Sequence, residues 1–131
     1  MPVTYGQYLT APGLRAGSSS LASYQYYVVR AGSTAGTIAV AVTAATDPII
    51  GILQNDPAAG EAAEVAVSGV CWALAEASVS PGDVLTCSST GRVKTTTTNL
   101  DQAVGKSLCN ASTSAGDLIP IIVSLFQVSD S

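Results

Sequence analysis

The sequence predicts an all-β fold: a small barrel or sandwich of short strands with pseudo-duplicated halves, preceded by an extended N-terminal arm. Three observations carry this. Short runs rich in β-branched and aromatic residues recur along the chain. Gly- or Pro-containing turn signals separate them at intervals of about eight to twelve residues. The same order of glycine marks appears twice. At 131 residues the chain suits one compact domain and is short for two.

Residues 1–23 scatter Tyr, Pro and Gly and then run through Ala16-Gly17-Ser18-Ser19-Ser20. No period persists there, so this segment reads as an arm, with the β domain spanning 24–131. Tyr24-Gln25-Tyr26-Tyr27-Val28-Val29 reads as the first strand. Ile38, Val40 and Val42 alternate on one face of the next. Pro48–Leu53 is apolar with Gly51 inside it, the mark of a bulge or a close backbone approach. A turn at Asp56–Gly60 leads through Val65 and Val67, past Gly69, to Val70-Cys71-Trp72-Ala73-Leu74.

Ser80-Pro81-Gly82-Asp83 is a turn before the strand Val84–Cys87, and Ser89-Thr90-Gly91-Arg92 turns into Val93-Lys94 and a threonine run. Ala103–Leu108 is apolar around Gly105, and Ala115-Gly116-Asp117 turns into Leu118–Val123. Pro120 lacks an amide hydrogen, which puts its strand at an edge or the proline where pairing changes. Three marks recur in order: Gly36 before Ile38 matches Gly82 before Val84, Gly51 matches Gly105, and Gly60 matches Gly116. The last two offsets are 54 and 56 residues, as a degenerate duplication would leave them.

Charged residues make up 11% of the chain, under half the usual share of about 25%, and the net charge is −4. Five basic residues spread over the sequence do not form a phosphate-tracking surface, so no nucleic-acid partner is expected. No histidine is present, which removes the commonest general base and metal ligand. Cys71, Cys87 and Cys109 are odd in number and lack CxxC spacing, so they read as buried free thiols rather than a disulfide framework or zinc site. No basic-then-apolar leader opens the chain, and Thr37–Ala45 is too short to span a bilayer. Folding in a cytoplasm and no membrane partner are therefore the expectations.

Candidate chemistry is sparse. Asp47 and Asp56 precede prolines, and Glu61, Asp83 and Asp117 follow turn glycines, so these carboxylates read as turn acceptors. No GxSxG elbow, SxxK pair, Walker loop or calcium loop occurs. Asn110-Ala111-Ser112 matches a glycosylation triplet, which carries no meaning without a secretory leader. The expectation is a non-enzyme with no cofactor. Trp72 reads as core or subunit-interface packing, and Tyr24, Tyr26 and Tyr27 as amphipathic interface residues.

Leu21 to Val123 resembles the family of tailed-phage capsid cement, or head decoration, proteins. The resemblance rests on Leu21–Val29, Gly51–Glu61, Val65–Val70, Ser80–Asp83 leading to Thr90-Gly91-Arg92, Val104-Gly105 and Ala115-Gly116-Asp117. It implies a β-rich protein on the outer surface of a virion, made in the bacterial host's cytoplasm. Its partner would be the major capsid protein, and it would self-associate as a homotrimer that clamps neighbouring capsid subunits. The residues expected at capsid or subunit contacts are Tyr5, Tyr8, Leu9, Leu14, Tyr24, Tyr26, Tyr27 and Trp72. The alternative is a carbohydrate-binding β-module on a virion or cell surface, for which Trp72 with Asn55 and Asp56 would have to serve.

Overall fold

A computed structural model describes residues 8–43, 46–98, 100–108 and 115–128. Tyr5, Cys109 and the Asn110-Ala111-Ser112 triplet lie outside the described residues. The elements are β1 (Tyr8–Thr10), β2 (Arg15–Ala16), β3 (Val28–Ala31), β4 (Thr37–Val40), β5 (Ile49–Leu53), β6 (Val65–Leu74), β7 (Val84–Cys87), β8 (Val93–Thr95), β9 (Gln102–Ser107) and β10 (Leu118–Gln127). They form one sheet in the order β2-β4-β3-β5-β6-β10-β9-β7-β8, with β1 added to β6. The path is not closed into a barrel, and the fold is all-β and sandwich-like. Both ends curl back: Arg15 in β2 bridges Ala62, and Val93 in β8 bridges Ala75. Such bridges cover terminal edges that would otherwise offer unpaired amides.

The sheet order is a palindrome. Each half runs from a hairpin (β3–β4 or β7–β8) through β5 or β9 to β6 or β10, and the halves join where β6 pairs with β10. Registers match residue for residue. Val29 opposes Val40 and Gly51, while Leu85 opposes Thr95 and Gly105. Ile52 opposes Ala66, while Lys106 opposes Ile122. The duplication is therefore real, but one of its marks shifts. Gly36 sits in the turn of the β3–β4 hairpin, and its equivalent is Gly91 in the β7–β8 turn, 55 residues on. Gly82 instead matches Tyr26. The Tyr26 amide donates to Leu53 O at 2.6 Å and the Gly82 amide to Ser107 O at 2.9 Å. Both residues have positive φ, +74° and +82°. The shared turn demands a left-handed residue; the second half supplies glycine and the first strains a tyrosine into it.

That turn also moves the first strand of the hairpin. Tyr24–Tyr27 is a turn closed by the Tyr27 amide on Tyr24 O, and the strand begins at Val28. The aromatic composition that suggested a strand reflects rings laid on the surface. Upstream, the segment read as an arm enters the sheet at Tyr8. Its β1 pairs with β6, its β2 pairs in parallel with β4, and Ala16 and Leu21 are buried. Pro120 lies in β10 between two partners, so it marks a change of pairing rather than an edge. Its carbonyl accepts from Leu108 where the β9 ladder ends, and the carbonyl of Trp72 opposite accepts from Gln54 Nε2 at 2.9 Å. No ladder bond needs the amide hydrogen that proline lacks.

Two apolar clusters fill the interior. One gathers Ala16, Leu21, Val29, Ile38, Leu53 and Val65 within the first half. The larger one is built from the second half but also takes Val28, Ile52 and Ala66. Successive residues of β3, β5 and β6 thus enter different clusters, because these strands are buried on both faces. That is why their sequences run Val-Val, Ile-Leu and Val-Ala instead of alternating.

Gly51 and Gly105 are what let β5 and β9 lie this close to their neighbours. A methyl group on Gly51 would overlap the carbonyl oxygen of Ala66 in β6, and one on Gly105 that of Ile122 in β10. Gly51→Ala and Gly105→Ala are each expected to cost about 1–3 kcal/mol through forced backbone shifts. Gly17→Ala, whose methyl would meet nothing nearer than 3.7 Å, should stay within about 0.5 kcal/mol of wild type. Urea unfolding of the three variants checks this, and equal costs would contradict it.

Candidate docking face and surface clefts

Along β6 and β10, residues alternate between core and solvent. Cys71 and Ala73 in β6 and Ile119, Ile121 and Val123 in β10 point inward and are buried. The intervening residues oppose one another across the ladder: Val70 with Ile122, Trp72 with Pro120, and Leu74 with Leu118. All six are apolar and none is fully buried; Leu118 is 43% and Ile122 40% exposed. Leu9, opposite Ser68 on the far side of β6, continues this face and is 69% exposed. Lys106, which opposes Ile122 from β9, is its one charge. Apolar patches on a protein surface are a common form of contact surface.

The expected contact residues divide between this face and other places. Trp72 and Leu9 lie on it. Tyr8 points the other way and packs against the larger cluster. Its hydroxyl donates to Glu64 Oε2 at 2.9 Å. Leu14 packs against the first-half cluster. Tyr26 is held in its turn by backbone bonds to Leu53 and Leu74. Tyr24 and Tyr27 meet edge to face with centroids 5.0 Å apart, away from the ladder. Asn55 spends its side chain on its own loop, donating to Ala62 O and accepting from the Glu64 amide. Sequence reasoning missed the β10 half of the face. Its only signal was that Leu118, Pro120 and Ile122 stay apolar on a strand whose other parity already fills the core.

Two clefts open elsewhere. One of about 490 Å³ is lined by Tyr24, Tyr27, Val42, Glu76, Thr90 and Arg92. Glu76 Oε1 accepts from Ser88 Oγ at 2.8 Å and from Thr90 Oγ1, while Oε2 lies 3.8 Å from Arg92 Nη1. The Thr90 and Ser88 bonds and then the guanidinium hold the Glu76 carboxyl below its ordinary range. Arg92 also sits 5.9 Å from the Tyr27 ring centroid. The other cleft, about 620 Å³, lies beside the β2–β4 pairing, is lined by Arg15, Arg30, Ser18–Ser20 and Thr34, and shares Tyr24 and Val40 with the first.

Four other carboxylates bond within turns and loops. Asp47 accepts the amides of Val42 and Thr43, Asp83 that of Ser80, and Glu61 that of Ala58. Asp101, the second-half counterpart of Asp47, takes the Thr96 hydroxyl at 2.6 Å. Burial pushes the thiols of Cys71 and Cys87 up to about 12 and about 11, so they stay protonated and inert at neutral pH.

A family model described as phage cement protein matches residues 20–123. No curated protein sequence matches the chain. Among solved structures, the N base of the head fibre of bacteriophage phi29 aligns with TM-score 0.64 and 14% identity, covering 88% of this chain and 95% of that one. At that identity the likeness is one of fold.

Burial and the bond to Glu64 push the Tyr8 hydroxyl up to about 12 from the ordinary 10.0. Because the folded value is the higher one, the stabilisation is complete below 10 and is lost as pH rises through about 12. Absorbance titration of wild type should show a tyrosine ionising in that late range. It should be missing in Tyr8→Phe, and a late-ionising group that persists in the variant would contradict the assignment.

Proposed function

The chain belongs to the phage cement protein family, and from that premise we propose that it is a non-enzymatic capsid protein acting as a homotrimer. In this reading it sits on the outer surface of the head and holds neighbouring major capsid subunits together. The observation that carries it is the apolar face formed by Val70, Trp72 and Leu74 against Ile122, Pro120 and Leu118. A cement protein must remain soluble before it meets a shell, and a bare apolar sheet face opposes that. Covering the face with copies of the same chain resolves the conflict, since permanent homo-oligomer interfaces are the more apolar kind. The capsid contact then falls to surfaces outside that interface. Three linked copies make each later engagement intramolecular, so modest contacts suffice for firm attachment.

Sedimentation equilibrium should give three times the 13.1 kDa chain mass. Ile122→Lys, a change at an exposed position, should yield a folded monomer. Wild type should co-sediment with expanded capsid shells and remain bound at high salt, because little charge is used at the contacts, while the variant should be lost from the shells. A monomeric wild type that ignores the shells would overturn the proposal.

A further inference from the structure

Beyond attachment to a shell, we propose that the paired clefts meeting at Tyr24 form a binding site for an anionic glycan. The inference starts from where the charges are. The chain has five basic residues. Three of them, Arg15, Arg30 and Arg92, line these two adjoining clefts. Arg30 Nε lies 3.9 Å from Asp47 Oδ2 and Arg92 is engaged by Glu76. Arg15 has no carboxylate within salt-bridge reach among the described residues, and its guanidinium extends over Gly36. In a chain of net charge −4 that is a placement of positive charge which the fold itself does not use. A guanidinium left in an open cleft suits a carboxylate or phosphate, either of which it can engage bidentately.

The other lining residues distinguish a sugar from a simple anion. Tyr24 meets Tyr27 in a T-shaped contact, is 37% exposed and lines both clefts, so it supplies aromatic surface at their junction. Val40 and Val42 continue the apolar surface beside it. A sugar ring has an apolar C–H face that packs on such a surface, and an acidic peptide has no equivalent. Ser18, Ser19, Ser20 and Thr34, all hydroxyl-bearing, line the larger cleft. In the smaller one, Ser88 and Thr90 occupy Glu76 Oε1, and Oε2, 3.8 Å from Arg92 Nη1, keeps lone-pair capacity for a sugar hydroxyl. Those two bonds, made to the charged form, fix the carboxylate before any ligand arrives, which lowers the ordering cost of binding. The clefts are equivalent positions in the two halves, each beside a parallel bridge. Duplication thus brings two subsites side by side, sharing Tyr24 and Val40, an arrangement that a polymer could bridge.

The test is amide chemical-shift mapping of the full chain titrated with polygalacturonate oligosaccharides and with a phosphorylated mannan. Neutral galactan and poly-glutamate serve as comparators. Saturable shifts centred on Tyr24, Thr34 and Arg92 with either anionic glycan are expected. Affinity should fall about tenfold in Tyr24→Ala and again in Arg15→Gln, with the unliganded spectra otherwise unchanged. Should either variant fail to fold, the wild-type shift map and its comparators still decide. Binding by neither anionic glycan would overturn the proposal. Poly-glutamate binding as tightly as the glycans, with Tyr24→Ala indifferent, would also overturn it, since charge alone would then suffice.

Discussion

The ladder between β6 and β10 is the interaction on which the molecule depends. β6 ends the first half and begins the second. Ala66 pairs with Ile52 and with Thr10, while Gly69 pairs with Tyr8 and with Val123. A strand residue has one neighbour on each side, so β5 and β10 follow each other along one edge of β6 and β1 runs along the other. One ten-residue strand therefore closes one half, opens the next and presents the apolar face between them. Its other parity places Val65 in one cluster and Cys71 and Ala73 in the other. Neither core is complete without it.

Much of this was legible in the chain. The glycine marks at 51, 60, 105 and 116 gave two halves and nearly their register, because a strand that packs backbone to backbone admits no side chain there. The third mark was misaligned because Gly36 and Gly82 each precede a strand, and the true partner of Gly82 is a tyrosine. A left-handed tyrosine leaves no trace in composition. Tyr24–Tyr27 read as a strand for a related reason: aromatic residues suit strands and contact surfaces alike. The arm boundary was hidden because β1 and β2 contribute three and two residues, too few for any period to show. The docking face was half legible. Trp72 stands out as the lone tryptophan, whereas Leu118 and Ile122 sit in an apolar run whose two parities the sequence does not separate. The clefts were not legible at all, since Arg15, Arg30 and Arg92 are brought together only by the duplicated topology.

The surface divides by chemistry. The β6/β10 side is apolar with a single lysine, and the Tyr24 side carries three arginines, a fixed carboxylate and hydroxyls. On the proposed reading, low overall charge serves the first of these: a contact face free of charges avoids their desolvation on assembly. Of the other charges, Asp47, Asp83 and Asp101 accept bonds within turns, and Arg15, Arg30, Arg92 and Glu76 line the clefts. In the proposed trimer the apolar side faces sister copies, so the Tyr24 clefts lie outside that interface.

The most direct measurement is electron cryomicroscopy of expanded capsid shells incubated with the purified chain. The account predicts symmetric density on the outer surface, in sets of three copies, with Trp72 and Ile122 buried between copies. Bound copies standing singly, with Trp72 and Ile122 facing solvent, would contradict it.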